Sequence, residues 1–124
     1  MKKKDVFSLV NAIMACGNLS GEKFTYTMAK NISHLQSVVE KIREEMDALQ
    51  QKHVKRDKEK KPIFSTEEGK EDNYVMKDLG KYKDESVELA REEIEVKLFK
   101  VKQAELPANI TLQQRIGIES LIEE

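Results

Sequence analysis

The stretch GEKFTYTMAKNISHLQSVVEKIREEMDALQQKHVKRDKEKKP, residues 21–62, decides the fold. Between its first glycine and its last proline run forty residues with neither, so nothing in the backbone interrupts a helix there. Within it Met28, Leu35, Ile42 and Leu49 form one apolar row, and Ile32, Val39 and Met46 form another that His53 continues. The steps alternate three and four, the period of a coiled-coil seam rather than of a broad surface stripe. A helix of this kind does not bury its seam alone. Either a second helix of the same chain covers it, or another copy of the chain does.

Working outward, residues 4–16 read as a short amphipathic helix with Val6, Leu9, Val10, Ile13 and Cys16 on one stripe. Gly17 to Gly21 read as a tight turn, and the long helix is expected over 21–57. Pro62-Ile63-Phe64-Ser65, a polar turn centred on Glu68-Gly69, and Asn73-Tyr74-Val75-Met76 give a hairpin over 62–77. A short helix follows over 84–93. Ile94, Val96 and Leu98 then alternate with Glu95 and Lys97, which predicts a strand over 94–102, with one unbroken helix over 84–102 as the alternative. Past Pro107, Thr111 and Gln114 make a capping box for a closing helix over 111–122, carrying Leu112, Ile116, Leu121 and Ile122.

The expected class is α+β, mainly α: a long helical hairpin or bundle with a coiled-coil-like seam, plus a small two- or three-stranded antiparallel sheet. One elongated domain spans 1–124. The helix at 84 is too short to cover the whole seam, so the expected assembly is a homo-oligomer joined along Met28, Ile32, Leu35, Val39, Ile42, Met46, Leu49 and His53.

Composition supports an extended, solvated molecule. Of the 124 residues 36% are charged, 39% hydrophobic and 6% aromatic, with no Trp, whereas a typical globular domain is about 25% charged. The net charge of −1 supplies no general attraction to nucleic acid or anionic lipid. A single cysteine excludes an internal disulfide, and Cys16 reads as a small core residue. The start Met-Lys-Lys-Lys with its apolar sequel imitates a lipoprotein signal, but Asp5 and Asn11 interrupt the short apolar region and Met14 fits the cleavage site poorly. The expected location is the cytoplasm, and the host cytoplasm for a phage-encoded chain.

Catalytic patterns are missing from the sequence. His34 and His53 lie nineteen positions apart on one helix, about 28 Å, too far for one metal. There is no Cys pair, no HExxH, no Gly-rich phosphate loop and no nucleophile elbow. Glu44-Glu45 and Glu92-Glu93 are helix neighbours that point in different directions. No enzyme, cofactor or metal site is expected.

Two features remain. His53 falls where the seam fades: it reads as an exposed ring on a fraying end, or as a polar residue setting register, whose protonation near pH 6.5 would charge the seam. The run 52–61 holds six Lys/Arg and two acids. It reads as a solvated helix end, or as an anion site in which Lys52, Lys55, Arg56, Lys58, Lys60 and Lys61 bind phosphate, with Phe64, Tyr74 and Tyr82 as stacking surfaces. Acidic Glu67, Glu68, Glu71 and Asp72 oppose the second reading.

The order of elements resembles that of small phage and prophage proteins of unknown function. The likeness rests on Lys2-Lys3-Lys4-Asp5, the long charged helix, Pro62-Ile63-Phe64, Glu93-Ile94-Glu95-Val96, and the stretch from Glu105-Leu106-Pro107 to Ser120-Leu121-Ile122-Glu123-Glu124. It implies a phage or mobile-element origin and transfers no functional residues. The function expected is that of a non-catalytic, homo-oligomeric adaptor in phage assembly or directed at a host protein. The alternative is a sponge that sequesters a phosphate-bearing nucleotide between subunits. Nucleic acid and membrane are not expected partners.

Overall fold

A computed structural model describes residues 1–66, 68–69 and 73–123. The protein is mainly helical, and the described residues form a small two-stranded sheet. Its elements are α1 (Lys3–Met14), α2 (Glu22–His53), α3 (Leu79–Arg91), β1 (Val101–Lys102), α4 (Leu112–Gly117) and β2 (Ile122–Glu123), with short 3-10 turns at Gln103–Glu105 and Glu119–Leu121. The sequence reads as one domain; the chain divides into two compact units, Met1–Lys41 with Glu92–Glu124, and Ile42–Arg91.

In the first unit α1 buries Val6, Leu9 and Ile13, and Cys16 is buried just beyond it. Gly21, at φ +143°, makes the turn into α2 in a region of backbone space that side chains rarely enter. The unit's share of α2 buries Phe24, Met28, Leu35 and Val39, and also the wholly buried Asn31. Asn31 behaves like a neighbouring strand: its Nδ2 donates to the Phe99 carbonyl at 2.9 Å, and its Oδ1 accepts from the Phe99 N–H at 2.8 Å. The other end of residues 92–99 is held by the N-terminal segment, where the Lys3 N–H donates to Glu92 O at 3.0 Å and the Ile94 N–H to Met1 O at 2.7 Å.

These substitutes explain why the expected strand over 94–102 is reduced to Val101–Lys102. The alternation is real, with Ile94, Val96 and Leu98 half-buried between exposed Glu95 and Lys97, but among the described residues no strand pairs with them to form a ladder. The sheet itself is parallel, not antiparallel, pairing Val101 with Ile122 and Lys102 with Glu123. The physical reason is the connection: α4 lies between the two strands, and a helical crossover returns the chain in its original direction. The closing helix expected over 111–122 stops at Gly117, and its last residues become a 3-10 turn and β2.

In the second unit α2 ends at His53, short of the expected residue 57. Three segments then bond in a ring: the Lys55 N–H donates to Val75 O at 2.7 Å, the Val75 N–H to Ile63 O at 2.8 Å, and the Ile63 N–H to Lys55 O at 2.9 Å. Because each segment divides its bonds between two neighbours, the hairpin expected over 62–77 forms no ladder. Its arms meet at one antiparallel bridge, Phe64 with Tyr74, and Glu67, Glu71 and Asp72 of its turn lie outside the described residues. α3 starts at Leu79 rather than 84 because Asp78 caps it, accepting from the Lys81 N–H at 3.1 Å. It reaches α2 through the side chains of Lys52, His53 and Glu85 rather than as the second arm of a long helical hairpin.

Candidate interaction surface

The residues expected to join copies are mostly sheltered inside one chain. Met28, Leu35, Val39, Ile42 and His53 are buried, Ile32 and Leu49 are half-buried, and only Met46 is exposed, at 36%. The seam is real as a buried stripe, but it does not need a second copy for cover.

His53 is neither frayed nor exposed. It is 6% exposed, its Nε2 hydrogen-bonds Glu85 Oε2, and its ring meets Tyr82 edge-on at 5.8 Å. The hydrogen bond from His53 is the main influence holding the Glu85 carboxyl below its ordinary range, with Lys52 and Lys81 adding to it and desolvation opposing. This places the imidazole in a structural pair within one chain.

The basic run is partly spent on local structure. Lys52 lies 3.7 Å from Glu85, and Lys61 lies 3.3 Å from Glu59. Arg56 donates to the Lys60 carbonyl at 3.0 Å and to Gln51 at 2.6 Å. Lys55, Lys58 and Lys60 are exposed and in no ion pair among the described residues. Phe64 and Tyr74 pack on each other at 5.0 Å, while Tyr82 is taken up by His53. The six cations and three rings therefore do not converge on one site.

A different surface stands out in the first unit. Leu112 is 75% exposed and Ile116 61% exposed, one helical turn apart on the same face of α4. With Gln103, Arg115, Glu119 and Ile122 they line a groove of about 240 Å³. That is below the roughly 300–1,000 Å³ of ordinary ligand clefts, so side chains suit it better than a cofactor. Arg115 and Glu119 are in no ion pair among the described residues, so opposite charges stand unengaged beside the apolar ridge.

The groove is built on a rigid base. Thr111 caps α4: its Oγ1 accepts from the Gln114 N–H at 3.1 Å, and the Gln114 Oε1 accepts from the Thr111 N–H at 2.9 Å. Gln114 Nε2 also donates to the Ala15 carbonyl and to Asn18 Oδ1, both at 3.0 Å, which pins α4 to the end of α1. Gly117 allows the close approach, since a Cβ there would lie 3.0 Å from the Cβ of Ala12. Ile118 and Leu121 are fully buried, and Ile122 is 9% exposed and forms part of the groove. Two apolar sets therefore share this short segment. Ile118 and Leu121 enter the core, and Leu112 and Ile116 are left outside.

The sequence groups Leu112, Ile116, Leu121 and Ile122 on one closing helix without separating its exposed members from its buried ones. The signal that separates the two sets is the excess of apolar residues between 112 and 122, more than a helix this short can turn toward one core.

A second cluster in the first unit joins α2 to Phe99. Lys30 Nζ lies 4.2 Å from the Phe99 ring centre and 5.2 Å from that of Tyr26, Lys97 Nζ lies 5.4 Å from Phe99, and the His34 ring lies 5.0 Å away. These contacts fasten the same residue that Asn31 holds by its backbone, which is a structural duty. Among the described residues no three His, Cys, Asp or Glu side chains gather as a metal site, and no helix is long and apolar enough to cross a membrane. No family model, curated protein or solved structure matches this chain.

Proposed function

We propose that this chain is a non-catalytic, homo-oligomeric interaction protein of phage or mobile-element origin, acting in the host cytoplasm in assembly or against a host protein. The observation that carries the reading is the α4 surface: a solvent-facing Leu112–Ile116 ridge, flanked by unengaged charges and fastened to a buried base. Rigid apolar side chains in a shallow groove with a polar rim are the composition of a binding face. The origin rests on the likeness in element order to small phage proteins. The α2 seam no longer supports association, because its cover lies within the chain.

Sedimentation velocity across a wide concentration range tests the reading. A species heavier than one chain, growing with concentration, is expected. A single-chain mass throughout contradicts it.

One observation favours a second reading. Lys55, Lys58 and Lys60 remain exposed without acidic partners among the described residues, and they are the remnant of a site for a phosphate-bearing nucleotide. A nucleotide at 100 times its dissociation constant would stabilise the protein by about 2.7 kcal/mol. Flat melting curves across cyclic and linear nucleotides would dispose of this reading.

A further inference from the structure

We infer that the α4 groove receives the same groove of a second copy about a two-fold axis, with Leu112 seating against the partner's Ile122 and Arg115 pairing with the partner's Glu119. The inference rests on the homo-oligomeric reading above and names the surface and pairing it would use.

The argument is one of self-complementarity. An isologous contact brings one surface against itself reversed, so it needs both signs of charge and both a projection and a recess on the same face. The α4 face has all four. Leu112, at 75% exposure, is the projection, and the groove floor at Ile122, at 9% exposure, is the recess. Arg115 and Glu119 are the unengaged charges. A partner of uniform charge would meet attraction at one rim and repulsion at the other. The chain's net charge of −1 leaves little long-range repulsion between copies. The face is small, so the contact belongs with weak interfaces.

Sedimentation equilibrium on the full chain, from about 1 μM to about 1 mM, spans the affinities expected of a small interface. Wild type should form a dimer and nothing larger, since an isologous contact closes on itself. Leu112→Asp should give monomer. It should still fold, with a helical spectrum and melting point close to wild type, because the side chain is outside the core. Arg115→Glu and Glu119→Arg should each weaken the dimer about tenfold, by setting like charges opposite one another twice. The double variant R115E/E119R, and an equimolar mixture of the two single variants, should each recover the wild-type dimer.

A wild-type dimer indifferent to all these changes would overturn this pairing and leave the homo-oligomeric reading standing. Single-chain mass throughout would overturn both. A trimer or an open polymer would overturn the two-fold contact.

Discussion

The seam of α2 and the face of α4 are written in the same way, as apolar residues three and four positions apart, yet they end in opposite environments. Leu35 and Ile42 are wholly buried within the chain, while Leu112 and Ile116 face solvent. The period of a hydrophobic pattern therefore states that a face is apolar. It does not state what covers it. A long seam offers many neighbours a place to pack, and here the chain itself supplies them. A six-residue helix with core residues on one side leaves Leu112 and Ile116 exposed on the other.

The largest test of this contrast is a pair of truncations. Leu35→Ala should destabilise the monomer by about 2–5 kcal/mol, the usual cost of emptying a buried leucine site. Leu112→Ala should change it by no more than about 0.5 kcal/mol. Urea unfolding of dilute samples measures both. Equal losses would mean that the two faces do not differ as described.

Asn31→Ala should follow, at about 2–3 kcal/mol, because it orphans the N–H and the carbonyl of Phe99 together. Faster amide exchange at Phe99, with α1 unaffected, would sharpen the picture of a side chain acting as a strand edge. An unchanged Phe99 amide would contradict it.

The His53–Glu85 pair gives the next effect, read as pH dependence. The Glu85 carboxyl is held below its usual value of 4.5, so folding favours its charged form. Its contribution to stability is complete above that pH and drains away as the pH falls through the lowered value. Glu85→Gln should remove this part of the acid sensitivity, flattening the urea midpoint between neutral and acidic pH. A variant with the wild-type slope would show that the pair does not act in this way.

The smallest effect belongs to Lys30→Met, which removes the ammonium over the Phe99 ring. It should cost about 0.5–1 kcal/mol in thermal melts. No change would show that the ammonium does not help to fasten that segment.

What the sequence made legible follows the length of each signal. The long helix declared itself because a heptad sustained over several turns has few competing explanations, and Thr111 with Gln114 marked the start of α4 within one residue. The expected strand over 94–102 contains β1, but a two-residue strand carries no measurable alternation, so neither β2 nor the parallel pairing could be read. Asn31 sits one position before the seam residue Ile32 and looks like solvent-face polarity. Its burial depends on Phe99, far along the chain. The same holds for His53, whose partner Glu85 lies beyond the intervening segments. Asp78 is a residue type that caps helices, and it marks the start of α3 in the sequence. The expected closing helix grouped Leu112 and Ile116 with Leu121 and Ile122, and nothing in the sequence said which of them a core would take. Its residues have the spacing of a core, and only the buried rival set at Ile118 and Leu121 shows that the core was already filled.

The most direct measurement is amide hydrogen exchange, followed by mass spectrometry, as the wild-type protein is diluted. Protection of residues 28–42 should stay constant at every concentration, while protection around 112–119 should fall as copies separate. Loss of protection in 28–42 on dilution, or indifference at 112–119, would show that copies meet along the long helix or not at α4.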